Sequence, residues 1–180
     1  MINKTKSVSL AALTLAIGLF ASATPTAVAA PTWPPQPPPV KEDGDPLVLP
    51  PGNVCDFGVT ITGTGSKVHV KEFDNGVVIE SGKGTLLTVS NNEADASVTF
   101  ESQGSVKRQV SNGDGTFTVS ATGHNLIGLF PTDEFESGEP AGPSLKLYTG
   151  RVTYIDDGNA NFTVLSISGT QRDICAELAG

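Results

Sequence analysis

Few residues in this 180-residue chain could carry out acid–base or metal chemistry. The two histidines are His69 and His124, and neither has a second histidine or a cysteine at metal-ligand spacing. His69 lies between Lys67 and Lys71 on the polar side of a predicted strand, whereas His124 stands beside Asn125 where another strand begins. Because zinc needs three or four converging ligands, the sequence predicts no transition-metal site and no cofactor. His124 and Asn125 are instead candidates for the rim of a binding pocket.

Two further candidates lie on one predicted strand near the C-terminus. Tyr148 and Tyr154 share one alternation parity, so they point to the same side of the strand, while Arg151 points to the other. Tyr148 and Arg151 therefore join His124 and Asn125 as candidate binding residues. No residue is assigned a catalytic role, because the chain has neither a Gly-x-Ser-x-Gly nucleophile motif nor a phosphate-binding loop.

Oxygen ligands for calcium cluster at 42–45, 133–139 and 156–161. None of these clusters has the regular Asp, Asn and terminal Glu spacing of a dedicated calcium loop. The last cluster is accounted for as a hairpin turn, so no calcium site is predicted.

The first residues have the order of an export signal. Two lysines precede an apolar stretch at 8–20, and an Ala-Val-Ala motif ends at Ala29. An Ala-Ser-Ala motif ending at Ala23 is the alternative cleavage site. The apolar stretch is shorter than the ~20 residues that a membrane-spanning helix needs. We therefore predict a signal peptide at 1–29, a secreted, extracellular product, and no integral membrane segment after signal removal.

The rest of the chain divides into a Pro-rich linker at 30–52 and one β domain at 53–180. Dense prolines fix backbone angles and remove hydrogen-bond donors, which is typical of a semi-rigid tether. The chain holds 19 acidic and 11 basic residues, and loss of Lys4 and Lys6 with the signal makes it more acidic. This balance disfavours nucleic acid and anionic membranes as partners. A basic polymer or a neutral glycan of the cell envelope or medium remains compatible with it.

The two cysteines, Cys55 and Cys175, enclose nearly all of the patterned sequence. An isolated pair in an exported protein is typical of one disulfide, because the compartment is oxidising and no metal-binding spacing is present. Two free buried thiols are the alternative.

From residue 54 onward, apolar and polar residues alternate with a period of two, which predicts β-strands. Asn-Gly and Asp-Gly pairs between them predict tight antiparallel hairpins. The expected strands lie near 54–62, 66–73, 77–81, 85–90, 96–103, 105–111, 116–122, 125–130, 145–155 and 161–168. An even-numbered meander that closes would bring the two cysteines together, so we expect a small antiparallel β-barrel of about eight to ten strands. A two-layer β-sandwich is the alternative.

One long acidic segment, 131–143, interrupts the strand pattern. Long loops in small β domains are often functional or mobile. The segment is therefore interpreted either as a tolerated solvated insertion or as a lid over a binding site.

Part of this pattern resembles a family of small secreted proteins of uncharacterised function from high-GC Gram-positive bacteria and their phages. The similarity rests on short motifs that span 49–178: Cys55-Asp56-Phe57, Gly123-His124-Asn125-Leu126, Leu129-Phe130-Pro131, Leu147-Tyr148-Thr149-Gly150-Arg151-Val152, Ser168-Gly169-Thr170 and Asp173-Ile174-Cys175. The resemblance implies a secreted source and a Cys55–Cys175 pair. It implies no catalytic residue.

Three functions fit these observations. The first is a secreted non-catalytic β domain that binds a ligand or partner in the cell envelope or extracellular medium. The second is a small barrel enzyme of the cyclase or isomerase kind, with an internal apolar pocket beside His124, Tyr148 or Arg151. The third is a structural or surface-display protein. An enclosed pocket would favour the enzyme, and an exposed groove or patch would favour the binding domain.

Overall fold

A computed structural model describes residues 45–180 and shows an almost entirely β domain. The predicted signal peptide and most of the predicted linker lie outside the described residues. The elements are β1 (Leu47–Leu49), β2 (Val59–Thr64), β3 (Lys67–Glu72), β4 (Val77–Lys83), β5 (Leu86–Asn91), β6 (Ser97–Glu101), β7 (Val106–Ser111), β8 (Phe117–Leu129), β9 (Glu134–Phe135), β10 (Ser144–Asp156), β11 (Phe162–Asp173) and α1 (Ile174–Leu178).

The strands form two sheets. One has the order β1-β2-β5-β6 and the other the order β3-β4-β7-β8-β10-β11-β9. Every pair is antiparallel except β9 with β11, which is parallel. The predicted hairpins are present, but the sequential meander was wrong. The chain leaves the first sheet after β2, forms the β3–β4 hairpin in the second sheet, and returns to the first sheet for β5 and β6. The turn residues determine only that the two strands of a hairpin pair with each other, and they do not determine which sheet the hairpin joins.

The two sheets pack through a core to which both contribute. Val59, Val89 and Phe100 from the four-stranded sheet meet Leu145 and Leu147 from β10. This arrangement is the two-layer sandwich of the two predicted architectures. Between residues 45 and 180, neither sheet is seen to close into a barrel.

The predicted disulfide is present. Cys55 and Cys175 are bonded, with Cα atoms 5.5 Å apart, and Cys55 is buried. Cys175 lies in α1, a short helix that the strand pattern did not predict. The Asp173 side chain caps this helix by accepting from the Ala176 amide at 3.0 Å. Ile174 and Leu178, both fully buried, anchor it in the core.

Several strand boundaries differ from the prediction. The segment at 54–58 forms turns, so β2 begins only at Val59. The strands expected at 116–122 and 125–130 are one continuous strand, β8. In addition, Leu47–Leu49 pairs with β2 inside the predicted linker, so the folded part begins before residue 53.

Three glycines lie in one row across the longest strands. Gly150 of β10 pairs with Gly123 of β8 on one side and with Gly169 of β11 on the other. Their φ angles are +146°, +90° and +102°, and a Cβ on any of them would lie 2.1 Å from a backbone oxygen. Only glycine combines a positive φ angle with the absence of a Cβ. The three glycines therefore allow β8, β10, β11 and the residues just before β7 to approach one another closely.

β10 contributes to two separate buried groups around this row. Leu145 and Leu147 join the core between the sheets. Tyr148 and Val152 have the opposite parity, and both are buried on the other side of the strand. Val152 pairs there with Ala121 of β8. We call the face that carries Tyr148 and Val152 the inner face of the seven-stranded sheet. The opposite face, called the outer face below, carries Leu145 and Leu147 and packs there against the four-stranded sheet.

The acidic segment 131–143 is anchored to the sheet. Asp133 is 1% exposed, and its carboxylate accepts the amide of Phe130 at 2.6 Å and that of Phe162 at 2.7 Å. Glu134–Phe135 then forms β9 along β11. The segment thus covers part of the β11 edge and is held there by buried backbone contacts.

Candidate functional site

The inner face of the seven-stranded sheet opens into a cleft of about 270 Å³ with a largely polar lining, which we call the polar cleft. Glu80 of β4, Lys107 of β7, Ala121 and Asn125 of β8, and Tyr154 of β10 all contribute to it. Lys67 and Val68 of β3 line it as well, so five strands contribute to one site. Ser66, Ser81, Ser102 and Ser105 add hydroxyl groups to its walls.

An ion pair lies on the cleft wall. Lys107 Nζ is 3.7 Å from Glu80 Oε1, and the two residues are direct cross-strand neighbours. Their side chains are 36% and 39% exposed, so both ends remain accessible to a ligand. An exposed pair of this kind contributes only ~0–1 kcal/mol to folding. Its two charges are therefore available to a ligand at little cost in stability.

Tyr154 brings a phenol to the same cleft. Its ring packs against Phe162 with a centroid distance of 4.8 Å. Burial, together with the nearby carboxylates of Asp156 and Glu80, raises the pKa of Tyr154 to about 12. The phenol is therefore neutral at physiological pH and can donate a hydrogen bond.

Glu80 and Tyr154 line the same cleft although two strands, β7 and β8, separate β4 from β10. In a sheet of ordinary strand spacing, β4 and β10 are ~14 Å apart. The register gives both side chains the same parity, so the cleft extends along one face across four neighbouring strands.

Asn125 is held in a fixed orientation on this wall. Its side-chain oxygen accepts a hydrogen bond from the Ser105 hydroxyl, and its amide nitrogen donates to the Thr122 carbonyl at 3.0 Å. Because both the oxygen and the nitrogen of its amide are hydrogen-bonded within the protein, the Asn125 side chain forms part of the cleft wall in a fixed orientation.

The cleft has the chemistry of a binding site. It offers the ammonium groups of Lys67, Lys83 and Lys107, a phenol donor, a carboxylate acceptor and several hydroxyls, but no histidine or cysteine lines it. Within residues 45–180, no group of three or more His, Cys, Asp or Glu side chains is placed to hold a metal ion.

The four predicted binding residues separate into two pairs. Asn125 lines the cleft, and its cross-strand partner Tyr148 is buried on the same face, where burial raises its pKa. His124 and Arg151 have the opposite parity and lie on the outer face. The structure therefore does not bring all four together, because neighbouring residues such as His124 and Asn125 must point to opposite sides of a strand.

The sequence interpretation missed Glu80 and Lys107. Each alternates with other polar residues on its own strand and so resembles an ordinary solvated charge. Their relationship becomes visible only from the pairing of β4 with β7. Tyr154 was noted only as having the parity of Tyr148.

A second cavity of about 350 Å³ is apolar and lies between the two sheets. Leu47 and Leu49 of β1, Leu87 of β5 and Leu145 of β10 contribute to it. No side chain that lines it is ionisable or carries a hydroxyl. It can accommodate apolar groups but offers nothing for acid–base catalysis.

Comparison with known proteins adds no identity: no protein-family model, curated protein or solved structure matches this chain. Among residues 45–180, no helix is long and apolar enough to cross a membrane.

Proposed function

We propose that this protein is a secreted, non-catalytic β domain that binds a small polar ligand of the cell envelope or extracellular medium in the polar cleft. The single observation that carries the proposal is the convergence of Glu80, Lys107 and Tyr154 from three strands onto one accessible concave wall. A carboxylate acceptor, an ammonium donor and a neutral phenol donor suit a molecule with several hydroxyl or amide groups. The volume of about 270 Å³ is close to the lower end of known ligand pockets, which favours a small ligand.

The absence of an acid–base pair at the apolar cavity supports binding over the cyclase or isomerase alternative. That alternative requires His124, Tyr148 or Arg151 beside an enclosed apolar pocket. None of these residues lines the polar cleft, the apolar cavity or a third opening near Gly82 and Gly104.

The test is a titration of the isotope-labelled protein with N-acetylglucosamine, a neutral molecule with hydroxyl and amide groups, followed by amide chemical shifts. We expect shifts concentrated at Lys107 and Asn125. Tyr154→Phe removes one hydrogen bond and keeps the ring, so it should weaken binding about fivefold, as expected for a loss of ~1 kcal/mol.

Tyr148→Phe is the matched control, because this hydroxyl belongs to the same face but does not line the cleft. Equal weakening by both substitutions, or shifts centred on the apolar cavity, would contradict the proposal.

A further inference from the structure

The outer face of the seven-stranded sheet carries a concentration of positive charge that the overall composition conceals. Strand alternation and pairing place Lys67, Lys83, Arg108 and Arg151 on this face, and Lys67 and Lys83 also line the polar cleft. All four are exposed, and within residues 45–180 none of them forms an ion pair with a carboxylate.

These four cations are close together in the register of the sheet. Lys67 lies directly opposite Lys83. The next row runs from Ser81 through Val106 and Thr122 to Arg151. The row after that contains Arg108, which pairs with Ser120. The charges thus occupy three adjacent rows across five neighbouring strands, a width of ~20 Å.

The same positions contain no acidic residue. The aspartates and glutamates of these five strands, Glu72, Glu80 and Asp156, all have inner-face parity. Around the cations, the outer face presents both hydroxyl and apolar side chains. The hydroxyl side chains are Thr118, Ser120, Thr122, Thr149, Thr153 and Ser81, the last of which also lines the polar cleft, and the apolar ones include Val77, Ile79, Val106, Val110 and Ile155. A chain with 19 acidic and 11 basic residues therefore keeps one broad face free of negative charge.

The Lys67–Lys83 pair indicates that this face can bind an anion. Like charges directly opposite each other in an antiparallel pair are destabilising. No carboxylate among the described residues compensates either ammonium group. A bound anion would relieve the repulsion and would gain from both charges at once.

We infer that this outer face binds an anionic polysaccharide, a polymer with carboxylate or sulfate groups and many hydroxyls. The cations supply attraction to its charges, and the serine and threonine side chains supply hydrogen bonds to its hydroxyl groups. A glycan suits the face better than a nucleic acid for two reasons. The five strands contribute no Phe, Tyr or Trp side chain to the face, whose aromatic rings are the imidazoles of His69 and His124. In addition, the acidic remainder of the protein repels a polymer of very high charge density.

The test measures binding of the full chain, with its disulfide intact, to polygalacturonate, a carboxylated glycan. Neutral dextran, a DNA duplex and vesicles containing an anionic lipid are measured in parallel. We expect binding to polygalacturonate that weakens as salt is raised and no binding to dextran. Combined replacement of Lys67, Lys83, Arg108 and Arg151 by Gln should weaken it by more than ~100-fold, at about fivefold for each cation.

Lys146→Gln is the control, since it removes one positive charge from the inner-face parity of β10 and should leave binding within about twofold. No binding to polygalacturonate, or tighter binding to DNA or to the vesicles, would overturn the inference. So would an equal loss in the Lys146 control. Lys67 and Lys83 also line the polar cleft, so Arg108 and Arg151, which do not, are replaced by Gln as a separate pair. We expect this pair to weaken binding to polygalacturonate by about 25-fold and to leave the titration with N-acetylglucosamine unchanged. An unchanged affinity for polygalacturonate in this pair would overturn the inference without touching the cleft proposal.

Discussion

The carboxylate of Asp133 accepts the backbone amide of Phe162, 29 positions further along the chain, at 2.7 Å. Its second oxygen accepts the Phe130 amide at 2.6 Å. One buried side chain thus joins the end of β8 to the beginning of β11 and fixes the acidic segment between them. This segment was a candidate lid in the sequence, but its anchoring residue is among the most buried in the domain.

Asp133→Ala should destabilise the domain by ~2–4 kcal/mol, because two buried amides would lose a charged acceptor. Urea unfolding followed by fluorescence or circular dichroism measures the change. Glu136→Gln, an exposed position in the same segment, should change the free energy of unfolding by less than ~0.5 kcal/mol. Similar effects at the two positions would show that Asp133 does not anchor the segment.

Gly150→Ala should destabilise the domain by at least ~2 kcal/mol. The new Cβ would lie 2.1 Å from the Ser168 oxygen, and the φ of +146° is unfavourable for alanine. Gly113→Ala is the control, because Gly113 also has a positive φ but an added Cβ there meets open space. It should cost only ~1 kcal/mol, the backbone part alone. Equal costs in thermal or urea unfolding would argue against close packing at the glycine row.

Titration of Tyr154 should occur near pH 12, above the ordinary value of 10.0. Its folded-state pKa is raised, so the folded protein holds this proton more tightly than the unfolded chain. The associated stability is fully present below pH 10 and is lost as pH rises towards 12. Near-ultraviolet absorbance measured against pH follows the tyrosinate directly. In Tyr154→Phe the highest transition should disappear, and its persistence would reassign it to Tyr148.

Lys83→Glu should stabilise the isolated domain by ~0.2–1 kcal/mol while weakening its binding to polygalacturonate. The substitution replaces a repulsive cross-strand pair with Lys67 by an attractive one. Thermal unfolding and polygalacturonate binding are measured on the same sample. A gain in stability together with unchanged binding would separate the two effects and exclude Lys83 from the binding face.

Removal of the disulfide by combined replacement of Cys55 and Cys175 with Ala should cost ~2–5 kcal/mol. The bond closes a loop with a sequence separation of 120, so most of the effect is expected through the unfolded chain. Urea unfolding of the oxidised protein and the variant gives the difference. A smaller loss would indicate that α1 stays docked through Ile174 and Leu178 alone.

Features that depend on local pattern were predictable from the sequence. Alternation at Val59 and Ile61 marked a strand, Asp74-Asn75-Gly76 marked a hairpin turn, and the two isolated cysteines predicted their bond. The distribution of strands between two sheets was not predictable, because an alternating pattern does not identify the neighbouring strand. The short helix at 174–178 was also missed, since five residues are too few for a helical period.

The candidate site was predictable only in part for the same reason. Asn125 was identified and lines the cleft, but Glu80 and Lys107 are brought together only by the pairing of β4 with β7. The outer face illustrates the limit more clearly. The net charge indicated repulsion of polyanions. Strand parity nevertheless places Lys67, Lys83, Arg108 and Arg151 on the outer face of the sheet. Composition alone does not show on which face of a sheet a charged residue lies.

The two-residue strand β9 has a consequence for self-association. An exposed edge strand is a template onto which another chain can add its own strand. β9 occupies the edge of β11 at Thr163 and Val164, and Val164 is one of the most buried apolar residues of that strand. β9 contains Glu134, and Glu136 and Glu139 follow it. A second molecule approaching this part of the edge would meet a short, already paired strand with like charges around it. The acidic segment therefore disfavours edge-to-edge pairing at the beginning of β11.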